Sequence, residues 1–166
     1  VAAVSPPAGF EDFRPIERFG AGFDAYFEKV SHRLGGVFVR SAAYMNWRYL
    51  DIPHRQSFAF ERVEAGATAG VVVLGLGGDQ GHLVDVLWDP DRTDDLDRCV
   101  RFAKAMFDEQ QVVRVTCFAT HPSLRESLAR TGFVDRGECP RFSVHVPPAA
   151  DAAFTAAGDL HVVDGD

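Results

Sequence analysis

Asp85 is the first residue whose setting raises a chemical question. It is an acid inside the apolar run His82-Leu83-Val84-Asp85-Val86-Leu87-Trp88. A carboxylate in such surroundings needs a partner or a shifted pKa, and groups of that kind gather at functional sites. Two uses compete for it: a proton acceptor in a cleft, or one half of a structural ion pair with Arg48 or Arg114. His121 stands just before Pro122. Its imidazole suits either an acid or a base role, and capping a helix is the alternative. Glu61 and Glu64 are weaker candidates for a base. The cysteines Cys99, Cys117 and Cys139 are scattered, odd in number and without a CxxC pair, so they frame neither a disulfide set nor a zinc site. Cys117 falls within a strand pattern, where a buried inert thiol and a nucleophile are the two readings.

These residues depend on a run of elements from Gly81 to Phe133. The apolar run that holds Asp85 reads as a strand, closed by Asp89-Pro90-Asp91. Thr93-Asp94-Asp95 supplies a cap and two acids for a helix start. Leu96, Val100, Ala103 and Phe107 then form one helical stripe. A β-branched strand follows over Val112 to Phe118. Thr120-His121-Pro122-Ser123 opens a short helix that carries Leu124 and Leu128 and ends at Gly132, with Phe133 re-entering the core. Strand, helix, strand and helix in that order imply a right-handed crossover between parallel strands.

Upstream, residues 1 to 20 are rich in Pro and Gly and read as a leader or inter-domain linker, pinned by Phe10, Phe13 and Ile16. Gly22 to Leu34 reads as a helix with the stripe Phe23, Phe27, Val30 and Leu34, stopped by Gly35-Gly36. Ser41 caps a second helix through Leu50, whose Trp47 and Leu50 are expected to pack on the sheet. Phe58 to Val63 and Gly70 to Leu76 read as a hairpin around Ala65-Gly66. Downstream, Arg141 to Val146 alternates as a half-exposed strand with His145 on its polar side. Pro147-Pro148 begins an Ala-rich connector, and Leu160 onward is a candidate last strand. The domain is expected over residues 21–150, with 151–166 as connector and last strand.

A chain of 166 residues suffices for one domain with a proper core. No apolar run reaches the length of a membrane span, and no signal-peptide pattern opens the chain. A formal charge of −7 argues against a general nucleic-acid binder. These features predict a cytoplasmic protein with no membrane or nucleic-acid partner. Val1 in place of Met suggests a processed chain or an excised fragment, and the leader suggests an adjacent N-terminal domain.

The order of elements from Phe58 to Val146, with the ending Leu124-Arg125-Glu126-Ser127-Leu128-Ala129-Arg130-Thr131-Gly132-Phe133, resembles the core of the GNAT (Gcn-five-related N-acetyltransferase) superfamily. Trp47-Arg48-Tyr49-Leu50-Asp51-Ile52-Pro53 resembles a string in the C-terminal GNAT-like domain of bacterial tandem proteins. The resemblance implies an α/β (α+β) fold: a mixed central sheet with two splayed parallel strands and helices on both faces. It further implies transfer of an acetyl group from acetyl-CoA to the amine of a small-molecule acceptor, sugar amines among the candidates. The pantetheine arm would then lie along Leu87, Trp88 and Asp89. The diphosphate would sit on the next helix start beside Arg92, Thr93 and Arg98. Asp85 and His121 would be the acid–base pair.

The sequence departs from that family at two places. The family's loop glycines are absent where the chain reads Thr93-Asp94-Asp95-Leu96-Asp97-Arg98, and the aspartates there oppose an anion. Leu128 stands where many members place a Tyr acid. The alternative is therefore a degenerate GNAT-fold domain, without catalysis, that binds or packs within a larger multidomain protein.

Overall fold

A computed structural model describes residues 4–53, 56–137 and 160–161. Cys139, His145, the strand expected over Arg141 to Val146 and the Ala-rich connector lie outside the described residues. A central sheet of five strands runs in the order β1-β3-β4-β5-β6. Its strands are β1 (Phe13–Ile16), β3 (Gln56–Glu64), β4 (Ala67–Gly77), β5 (Gln80–Trp88) and β6 (Arg114–Cys117). All neighbours are antiparallel except β5 and β6, which run parallel. The order of hairpin, central strand, helix, parallel strand and short helix is the order the resemblance implies. A second, two-stranded pairing joins β2 (Gly36–Val37) to β7 (Leu160–His161) in parallel.

Phe13–Ile16, inside the stretch expected as leader, is an edge strand of this sheet. Phe13 is buried and stacks on Phe102, with ring centroids 3.9 Å apart. Asn46 holds the next turn from both sides: its side-chain oxygen accepts from the Phe19 N–H at 2.8 Å, and its amide donates to the Phe19 carbonyl at 2.9 Å. These contacts bury apolar surface and satisfy backbone groups, so residues 10–20 are part of the fold.

Helix α3 (Thr93–Glu109) covers one face of the sheet and packs on β4 and β5. Its stripe Leu96, Val100, Ala103 and Phe107 is fully buried, as helical spacing requires. The approach is close where glycines line the strands. A Cβ on Gly81 would sit 2.6 Å from the Phe107 ring, and one on Gly70 would sit 2.7 Å from the Cys99 sulfur. The expected cap at Thr93 is one residue late: Arg92 occupies the cap position without a side-chain cap bond, and Thr93 is the first helical residue.

Helix α1 (Ala21–Ser31) packs on α2 (Ala42–Met45), which runs into a π-helical turn over Asn46–Leu50 that packs on β3. Ser41 caps α2 as expected, accepting from the Tyr44 N–H at 3.1 Å. The wider π turn then shifts the phase of the side chains. Tyr49 and Met45 take the buried positions, and Trp47, expected on the sheet, is 60% exposed. Helix α4 (Pro122–Arg130) packs beside α3. It closes in a Schellman turn: Gly132, at φ +95°, donates to the Ala129 carbonyl and Phe133 to that of Leu128.

Candidate functional site

Strands β5 and β6 pair only from Gln80↔Arg114 to Leu83↔Cys117. Beyond that point β5 continues through Val84–Trp88 while the chain after β6 turns toward α4. The parallel pair therefore parts at Leu83, and Asp85 lies just past the parting.

A β-bulge shifts the register at the same place. Val73 pairs with Asp85 and Leu74 pairs with Leu83, so Val84 is the extra residue. Val73 and Leu74 point to opposite faces, hence so do Asp85 and Leu83. Simple alternation would put them on one face. Asp85 instead points away from α3, toward α2 and the π turn.

There the Arg40 guanidinium donates from Nε to Asp85 Oδ2 at 2.7 Å, and the Tyr49 hydroxyl donates to the same oxygen at 3.3 Å. Arg40 is fully buried and Asp85 is 2% exposed. Asp85 is thus an ion-pair partner, and its cation is Arg40 in place of Arg48 or Arg114. The other carboxylate oxygen, Oδ1, is buried without a hydrogen-bond partner among the described residues.

His121 is the cap of α4. Its Nδ1 accepts from the Ser123 N–H at 3.2 Å, and its ring meets Trp88 edge-on with centroids 5.0 Å apart. Leu87, Trp88 and Asp89 are all buried. Trp88 pairs with Gly70, whose Cβ direction leads to Cys99 on α3, so it faces the α3 side. Asp85 faces the other side. The two expected acid–base residues are not brought together: one touches Trp88, the other Arg40 and Tyr49.

The start of α3 is an ion-pair network. Arg92 pairs with Glu64 and, at 2.9 Å, with Asp95. Arg98 pairs with Asp12 at 2.7 Å, and its guanidinium lies 4.4 Å over the Phe10 ring. Arg62, from β3, bridges Asp12, Glu64 and Asp95. Asp89 is held by Arg33 at 3.0 Å. Burial raises the pKa of Asp95 against the pull of Arg62 and Arg92. For Asp12 burial acts upward too, but hydrogen bonds from Arg98 and Arg62 hold its carboxyl below the ordinary value. Arg92 and Arg98, the cations expected beside a diphosphate, each already hold a carboxylate.

Burial pushes the Cys99 thiol up to about 12, which makes it inert at neutral pH. Among the described residues no group of His, Cys, Asp or Glu is gathered to hold a metal ion, and no helix is long and apolar enough to cross a membrane. Sequence patterning missed Arg40, Tyr49 and Arg62. The acid in an apolar strand signalled that a partner exists, but nothing local marks which arginine is buried.

No family model matches the chain, and no curated protein matches it. Among solved structures it is similar to a tandem GNAT protein from the clavulanic acid biosynthesis pathway, solved without AcCoA, with 14% sequence identity and a TM-score of 0.45. The likeness covers 72% of this chain and 42% of that one, so the chain spans less than half the length of the protein it matches.

Proposed function

We propose that this domain transfers an acyl group from an acyl thioester, acetyl-CoA in the first instance, to the amine of a small acceptor. The observation that carries the reading is the parting of the parallel pair β5 and β6 next to the start of α3. Such a parting receives an extended amide-bearing arm between two strands. His121 is assigned as the proton donor to the leaving thiolate. Its Nδ1 accepts a backbone N–H, so the neutral ring carries its proton on Nε2. Asp85 is assigned as a fixed charge at the parting, held by Arg40 and Tyr49.

The carboxylates around α3 set how the donor is held. They oppose phosphates, so most of the affinity is assigned to the thioester arm. Calorimetric titration with acetyl-CoA and with S-acetylpantetheine, which lacks the nucleotide, tests this at low and higher salt. The expected result is similar affinity for both ligands with little dependence on salt. Strongly salt-sensitive binding of acetyl-CoA alone would transfer the affinity to the phosphates. Absence of binding by either ligand up to millimolar concentration would overturn the acyltransferase reading and leave a binding or packing module of a larger protein.

A further inference from the structure

The sheet face turned away from α3 carries a polar row that the acid–base assignments above do not use. Ser57 pairs with Gly75, Gly75 with His82, and His82 with Thr116, so these residues share one face across four strands. Phe58, Leu74 and Leu76, at the alternate positions, line an apolar crevice with Met106 and Phe107 of α3, which places the polar row on the far side. The next row, Gly77, Gln80 and Arg114, is exposed. The bulge at Val84 puts Asp85 on this same face. The row is a shallow polar floor that leads to the parting, since His82 precedes Leu83, the last residue of β5 paired with β6.

His82 is half-buried, and its Nδ1 lies 2.7 Å from the Thr116 hydroxyl. Its other ring nitrogen has no protein partner among the described residues. Asp85 is closed off from the floor by burial, where Arg40 and Tyr49 hold it. An imidazole at the surface of the floor, oriented by a hydroxyl at Nδ1 and with its other nitrogen unpartnered among the described residues, has the placement a general base requires.

We infer that His82 is the base that accepts the proton of the incoming amine, with Thr116 as its positioning residue. This rests on the acyltransferase reading. Nδ1–H donates to Thr116 Oγ1, which leaves the Nε2 lone pair toward the floor. Nε2 takes one proton from the acceptor ammonium and passes it to water. The freed amine attacks the thioester carbonyl, so that a C–N bond forms as the C–S bond breaks. His121 protonates the departing sulfur, which leaves as the thiol, and the second amine proton replaces the one His121 gave.

Two measurements on the full chain test this without a known acceptor. Long-range ¹⁵N NMR of the His82 ring should show the Nδ1–H tautomer in the unsubstituted chain and its loss in Thr116→Val. A dominant Nε2–H tautomer overturns the assignment. Carbethoxylation by diethyl pyrocarbonate, followed by mass spectrometry, gives the second readout. With acetyl-CoA at ten times its Kd, modification of His82 should slow about tenfold, with exposed His32 unaffected as the control. If calorimetry shows acetyl-CoA bound and His82 reacts at an unchanged rate, the base assignment falls alone. If the unsubstituted chain binds no acetyl-CoA, the acyltransferase reading falls and takes this assignment with it.

Discussion

Arg40 and Asp85 form a pair that neither residue survives losing. Both are out of water, and the Coulombic attraction offsets their desolvation only while they remain together. Arg40→Met should therefore destabilise the domain by about 3–5 kcal/mol, because it strands a buried carboxylate. Arg40→Met combined with Asp85→Leu should be less destabilised than Arg40→Met alone, as read from urea unfolding midpoints. If the double variant is no more stable than the single one, the pair is not the source of the loss. Asp85 was legible as an anomaly in an apolar strand. Arg40 was not, because Val39-Arg40-Ser41 has the composition of any exposed loop, and only the folded path carries it under the sheet.

At the scale of elements, the helical and hairpin periods were readable and the exceptions to them were not. The α3 stripe is regular over its whole length, and Ala65 and Gly66 turn the β3–β4 hairpin with positive φ at both positions. β1 escaped notice because it is four residues long and contains Pro15, a residue tolerated only at a sheet edge. β6 is likewise shorter than the β-branched run that announced it. The π turn displaced Trp47, and the bulge separated Asp85 from Leu83. Both are single-residue changes of phase that no composition signals. The contact of α3 with β5 has its own test. Gly81→Ala should destabilise by about 1–3 kcal/mol through overpacking against Phe107. Gly77→Ala, which faces open space, should leave the thermal midpoint nearly unchanged.

At the scale of the whole molecule, Asp12 ties the N-terminal segment to both the hairpin and α3 through Arg62 and Arg98. Its pKa is lowered in the folded chain from an ordinary value of 3.8. The folded state therefore binds the proton less readily than the unfolded one. The stabilisation is complete above 3.8 and is lost as pH falls through the lowered value. Asp12→Asn should reduce stability at neutral pH and flatten the acid limb of a stability–pH profile. An acid limb of unchanged steepness would show that other carboxylates, such as Asp97 held low by Arg130, dominate acid unfolding.

The extra residue at Val84 gives β5 something like a reading frame. Substituting Val84 changes a side chain, but deleting it would restore strict alternation and turn the strand's first half over. His82 would then point at Phe107, and Leu83 would pass to the polar side. Length and meaning are separable in this strand: one residue adds nothing to its span, yet it decides which half of the protein each of its neighbours addresses.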